Sequence, residues 1–242
     1  MIHKATYKDQ VVERIYHLVL DGHYQPGEQL KESVLAREMG ISRAPVREAL
    51  YELIAGGILA YRPQVGCFIA QLSPAEIVDA YTARGVLEGF AIMSVRQSFT
   101  AADFNSLAAL IERMEEAAHR GRRKQVVAVG GDFHDLLVAK STNSEVTACS
   151  RRLSRKLHVL FYRHWPTLYS PAEIGERHRR ILKGLVIGDP IAIEQTVRAH
   201  YIETGSKIAA LQEEEPGQRS LPAGPREFVN ICARTGGDGN TG

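Results

Sequence analysis

The sequence predicts a mostly α protein, with an N-terminal winged helix-turn-helix followed by a C-terminal all-α helical bundle. Three observations lead to this class. Residues 30–53, LKESVLAREMGISRAPVREALYEL, read as two short helices around a tight turn. A short hairpin follows over 58–70. From Ser73 onward apolar residues recur with helical spacing, and no stretch alternates convincingly with period two.

In chain order, Val11, Val12, Ile15 and Val19 give 10–21 one apolar face and predict a first helix, closed by Gly22 and the Pro26-Gly27 turn. Val34, Leu35 and Met39 give the next helix an apolar side, Gly40 permits the turn, and Ser42 is placed to cap the helix after it. Pro45 falls in that helix's first turn, where a missing N–H does little harm. Val46, Ala49, Leu50 and Leu53 face a core, which leaves Arg43 and Arg47, four apart, on another flank. Exposed arginine is the ordinary case, so a solvated face is the plain alternative. The hairpin, with its turn Arg62-Pro63-Gln64-Val65-Gly66, supplies a wing and favours a DNA-reading helix, in which guanidinium groups reach guanine edges or phosphates.

Ser73-Pro74-Ala75-Glu76 is a capping box with proline at the first helical position, so a new unit starts there. Helices are expected over roughly 74–97, 101–120, 123–140, 144–164, 171–187 and 190–212. Thr100 with Asp103, Thr142 with Glu145, and Ser170 with Glu173 read as starts; Gly121, Pro166 and Gly188-Asp189-Pro190 read as breaks. The expected division is 1–71 for the winged helix-turn-helix, 72–212 for the helical domain, and 213–242 for a disordered tail rich in Pro, Gly and polar residues.

Composition narrows the function. Residues 1–71 hold eight Lys/Arg against eight Asp/Glu, and the whole chain of 242 residues carries a formal charge of +2, so a non-specific polyanion binder is a poor match. Any positive surface must be local. Cys67, Cys149 and Cys232 form no CxxC pair, which points to a reducing compartment, and no apolar run approaches the roughly 20 residues that span a bilayer. A soluble cytoplasmic protein is the expectation.

The run ISRAPVREALYELIAGGIL, preceded by LxxxxLAxxMG and followed by RPxxGxF, resembles the DNA-binding domain of the GntR family of bacterial transcription regulators. The resemblance implies operator contact by Arg43 and Arg47, with Ser42 and Ala44 beside them, and close approach of the wing to DNA at Gly66. Ser33 and Val65 depart from the commoner basic or polar residues, which implies fewer phosphate contacts. YTARGVLEGFA, DFHDLLVAKSTN and ERHRRILKGLVIGDPIAIEQTVRAHY resemble the FCD effector domain of the fatty-acid-regulator-like branch. That branch implies a homodimeric, ligand-responsive factor, a repressor in the favoured reading. It would bind a pseudo-palindromic double-stranded DNA operator and respond to a small carboxylate effector, often beside a divalent metal.

The same resemblance implies His134, His178 and His200 as ligands for zinc or a similar ion, and Arg84 as an inward guanidinium for an effector carboxylate. For Arg84 and Glu88 the plain alternative is a surface pair at i,i+4, and for each histidine it is a hydrogen-bonded core residue. Asn143 either caps a helix or binds effector in the pocket, as the motif implies. His119, His158 and His164 match no motif and read as solvated or capping. Metal-binding relatives place an aspartate one turn before the first histidine, where this chain has Gly130. Asp132 points about 200° away on a regular helix, so only a local distortion at Gly130-Gly131 would bring it in. Three histidines with an open position also describe a metal-dependent enzyme, but no HExxH-type base accompanies them.

Overall fold

The structure is a computed structural model that describes residues 6–214. The N-terminal part holds α1 (Tyr7–Leu20), β1 (Gln29–Leu30), α2 (Glu32–Met39), α3 (Arg43–Ala55), β2 (Leu59–Arg62) and β3 (Gly66–Ile69). Thr6 and Asp9 start α1 with a reciprocal capping box, three residues earlier than apolar periodicity alone predicts. Val11, Ile15, Val46, Ala49, Leu50 and Leu53 meet in one core, as their spacing predicts. Ser42 stands at the N-cap of α3 but its side chain makes no capping hydrogen bond, contrary to expectation. That end of the helix lacks the side-chain acceptor present in the other capped helices.

The wing is a three-stranded antiparallel sheet in the order β1-β3-β2. β1 was not foreseen, because two residues are too few to show an alternation. Phe68 is paired with Gln29 on one side and Ala60 on the other. At the wing tip Gln64 has φ 63° and Gly66 has φ 120°, the latter a conformation open to glycine. A Cβ at Gly66 would also sit 3.2 Å from Gln29 Nε2, which itself donates to Val65 O at 2.6 Å. Both observations give Gly66 a structural reason independent of DNA.

The helical part comprises α4 (Pro74–Val95), a single 3-10 turn at Arg96–Ser98, α5 (Ala101–His119), α6 (Arg123–Val138), α7 (Ser144–Leu168), α8 (Pro171–Ile187) and α9 (Pro190–Glu214). Capping boxes at Ser73/Glu76, Thr100/Asp103 and Ser170/Glu173 set three of the starts as expected. α7 is capped by Asn143 rather than Thr142, and it continues through position 166 to Leu168 instead of breaking there. α4 and α9 run antiparallel in close contact: a Cβ at Gly89 would meet Glu194 O at 3.0 Å, and one at Gly85 would meet Arg198 Cα at 3.1 Å. Around this pair, Leu107, Ile111, Phe133, Leu137, Leu157 and Ile174 fill the second core. The tail expected over 213–242 falls outside the described residues, except for 213 and 214, which extend α9.

α7 joins the two cores. Its Val159 packs on the N-terminal core, and its Arg155 pairs with Glu13 of α1 and lies 5.9 Å from the Tyr16 ring centroid. Lys124 of α6 adds an ion pair to Asp21.

Candidate functional site

Three helices bring one histidine each to a single point. His134 comes from α6, His178 from α8 and His200 from α9, and one ring nitrogen of each lies within 4.8 Å of the others. The ring centroids are 4.9 to 5.5 Å apart. His178 Nδ1 lies 2.7 Å from Ile174 O. A carbonyl only accepts, so Nδ1 carries the proton and Nε2 presents its lone pair, the form a metal ligand needs. Burial pushes His178 down to about 3, with the neighbouring His134 adding to the effect. Burial also lowers His134, against the pull of Glu88, and lowers His200 well below the ordinary range with help from His178 and Arg177. All three rings are neutral at pH 7.

Beside them lies a buried polar network. Glu88 accepts from Arg84 Nε at 2.7 Å, Ser150 Oγ at 2.7 Å and Tyr201 OH at 2.6 Å. Burial alone would raise its carboxyl, but Arg84, His134 and Tyr201 together hold it well below the usual carboxylate range. Arg84 is 3% exposed and Glu88 0%, so the pair is an interior one and not a surface pair. The Arg84 guanidinium also lies over the Tyr201 ring at 4.7 Å. Arg177 donates to His200 O at 2.7 Å and Thr204 Oγ1 at 2.8 Å, pairs with Glu203, and covers Tyr169 at 4.0 Å.

These groups line a cavity of ≈ 60 Å³, polar at Arg84, Arg177 and the histidines, and closed by Met114, Val127, Leu157, Phe161 and Ile174. His158 of α7 also reaches it, 3.2 Å from Ser154 Oγ and pushed down to about 3 by burial, so the solvated role expected for it is wrong. Spacing could not have found Glu88, Ser150 and Tyr201 as a set, because their contacts join positions 62 and 113 apart, and Arg177 reaches partners 23 and 27 residues on. For Arg177 the only available signal was its position beside His178.

Gly130 lines the cavity on the turn before His134. The helix is regular there, and Asp132 is exposed and faces the cleft between α1 and α7, so the distortion that would have recruited it does not occur. Of the two alternatives for Asn143, the structure shows the helix cap. It is exposed, its Oδ1 accepts from Val146 N at 3.1 Å, and it is not among the residues that line the cavity. Trp165 is buried in the second core against Phe161.

A divalent ion fits this donor set. His134 Nδ1 is buried 3.3 Å from Glu88 Oε2 but is not aligned for a hydrogen bond, and His200 Nδ1 is buried without a hydrogen-bond partner among the described residues. A polar nitrogen withdrawn from water in this way loses about 1–3 kcal/mol unless something satisfies it.

At the other end of the molecule, Ser42, Arg43, Ala44 and Arg47 form one exposed flank of α3. Arg47 is held by Glu32 of α2 through Nε at 3.0 Å and Nη2 at 2.8 Å.

Residues 7–69 match the family model for bacterial regulatory proteins of the gntR family, and residues 79–203 match the FCD domain model. The chain belongs to the GntR family. It is 26% identical over 198 residues to the HTH-type transcriptional regulator YdhC of Bacillus subtilis (strain 168), covering 81% of this chain and 88% of that one. It is 28% identical over 198 residues, 81% and 86% of the two chains, to the "Probable D-xylose utilization operon transcriptional repressor" of Paenarthrobacter nicotinovorans. The solved structure of E. coli McbR/YncC superposes with a TM-score of 0.70 at 21% identity, covering 88% of this chain and 100% of that one, and so shares the fold. This GntR-family protein is a transcriptional regulator and not an enzyme, which removes the metalloenzyme reading of the three histidines. Among the described residues no helix is long and apolar enough to cross a membrane.

Proposed function

We propose that this regulator is a homodimeric repressor of a pseudo-palindromic operator, and that a small carboxylate metabolite entering the three-histidine cavity changes its hold on DNA. Residues 1–71 are the DNA-binding unit in this reading and 72–212 the sensing and dimerising unit. The observation that carries it is the position of α7. One side of that helix supplies Leu157, His158 and Phe161 to the cavity, and the other places Arg155 and Val159 against the N-terminal unit. A ligand that shifts α7 must therefore act on the DNA-binding unit, and DNA must act back on ligand affinity by the same free energy.

His134, His178 and His200 would hold a divalent ion such as zinc. When bound, the ion supplies a positive centre to which an effector carboxylate oxygen can bond. Arg84 carries its charge into the same cavity, already oriented by Glu88, and Arg177 closes the side next to α9. The apolar wall at Met114, Val127 and Phe161 suits a short hydrocarbon part on the effector.

The test is metal analysis by mass spectrometry on untagged protein, comparing wild type, His178→Ala and Gly130→Asp, alongside light scattering for the dimer. Wild type should hold metal, His178→Ala should lose it, and Gly130→Asp should bind it more tightly by restoring a carboxylate. Substoichiometric metal in all three, with effector binding intact, would show a pocket that works without an ion. A monomer that grips a single half-site tightly would remove the dimer.

A further inference from the structure

Arg47 lies on the exposed flank of α3, yet its guanidinium is fixed. Nε donates to Glu32 Oε2 at 3.0 Å and Nη2 to Glu32 Oε1 at 2.8 Å, so one carboxylate grips the side edge of the fork with both oxygens. Glu32 is the first residue of α2, the other helix of the helix-turn-helix. Its side chain is 26% exposed against 55% for Arg47, so the shielded partner holds the exposed one. A guanidinium has five N–H donors in a plane. With the Nε/Nη2 edge taken, the Nη1/Nη2 end is left facing away from Glu32, and that end matches paired acceptors such as O6 and N7 of guanine.

We infer that Glu32 is a positioning residue for DNA recognition, holding Arg47 side-on so that the end of its guanidinium meets a guanine edge in the major groove. The inference rests on the reading of α3 as the helix that contacts bases. An exposed pair of this kind adds little to stability, so its contribution is orientation: a long side chain is ordered before DNA arrives. The negative charge matters as well. Unheld, Arg47 is free to swing to phosphates, which lie beside every sequence, and Glu32 itself opposes such unspecific attraction. Discrimination between sequences therefore depends on the acid more than raw affinity does.

The test uses the full chain and two probes: the duplex that wild type enriches from a random-sequence library, and sheared genomic DNA. Affinity for each is measured for wild type, Glu32→Gln, Glu32→Asp, Arg47→Ala and the Glu32→Gln/Arg47→Ala double variant, with thermal melting to show that each is folded. Glu32→Gln should reduce the ratio of the two affinities about tenfold, the scale of one bidentate base contact, while binding to sheared DNA holds or rises. Glu32→Asp keeps the charge but shortens the grip, and should fall between. In the Arg47→Ala background the Glu32 change should do nothing further to the ratio. Tighter binding of the enriched duplex by Glu32→Gln would overturn the inference by making the acid a competitor that DNA must displace. An equal loss in both backgrounds would overturn it by placing the effect in α2. Wild-type affinity in Arg47→Ala would instead remove the reading of α3 on which the inference stands.

Discussion

Gly130 and Gly131 are neighbours in α6 and meet opposite surroundings. A Cβ at Gly130 would find Met114 Sδ at 3.8 Å, an ordinary contact, whereas one at Gly131 would lie 2.9 Å from His158 Cε1. Gly130→Ala should therefore be neutral or add up to about 1 kcal/mol of stability through helix propensity. Gly131→Ala should remove about 1–3 kcal/mol, because the ring of His158 is hemmed in by the cavity wall and α7 has to move to make room. Urea unfolding of the two variants checks the contrast, and equal effects would mean that α6 and α7 are not packed this closely. The same geometry explains why Gly130 can accept an aspartate, so the departure from relatives at that position is a missing side chain and not a blocked one.

At the scale of elements, the caps carry most of what was legible. Asn143 holds the start of α7 through Val146 N and is not among the residues that line the cavity. Asn143→Ala should lower stability by about 1 kcal/mol and leave metal content and effector response unchanged. A loss of effector binding without a loss of stability would return Asn143 to the pocket. The helices of the second half were readable because serine, threonine and acidic residues mark their starts locally and the 3.6-residue period marks their inner faces. The convergence of His134, His178 and His200 was readable only through family motifs, since histidine spacing within any one helix says nothing about its neighbours. Glu88 and Tyr201 stayed hidden for a plainer reason: a buried carboxylate satisfied from three helices is a tertiary fact, and its local surroundings look like a surface ion pair. The continuation of α7 past position 166 was missed because proline is normally a stop within a helix.

For the whole molecule, buried neutral imidazoles make stability fall on the acid side earlier than carboxylates would. His178 has its folded value near 3 against about 6.5 when unfolded, and His134 and His200 shift the same way. Above pH 6.5 both states are neutral and the shift contributes nothing. Between 6.5 and 3 only the unfolded chain takes the proton, so stability falls as pH falls, by about 1.4 kcal/mol per pH unit for His178 alone. Glu88, whose carboxyl is depressed, adds its own loss as pH falls through the ordinary carboxylate range and below it. Metal-free protein in chelator should thus show a melting temperature that declines from about pH 6.5 downward, and His178→Gln should make the decline shallower without removing it, since His158, His134 and His200 shift the same way. A flat profile down to pH 5 in the wild type would mean that water reaches these rings.

α7 is wall to the cavity and seat to the DNA-binding unit at once, and under the proposed function this restricts how sensing can diversify. Replacing Leu157 or His158 to suit a differently shaped metabolite also moves the helix that bears Arg155 and Val159, so a new taste would arrive together with an altered output. Met114 on α5 and Ile174 on α8 line the same space without carrying that second duty, whereas α6 shares it through Lys124 and Asp21. Among descendants of this chain, if the proposed sensing holds, innovation in what is sensed should accumulate on α5 and α8, while α6 and α7 drift slowly.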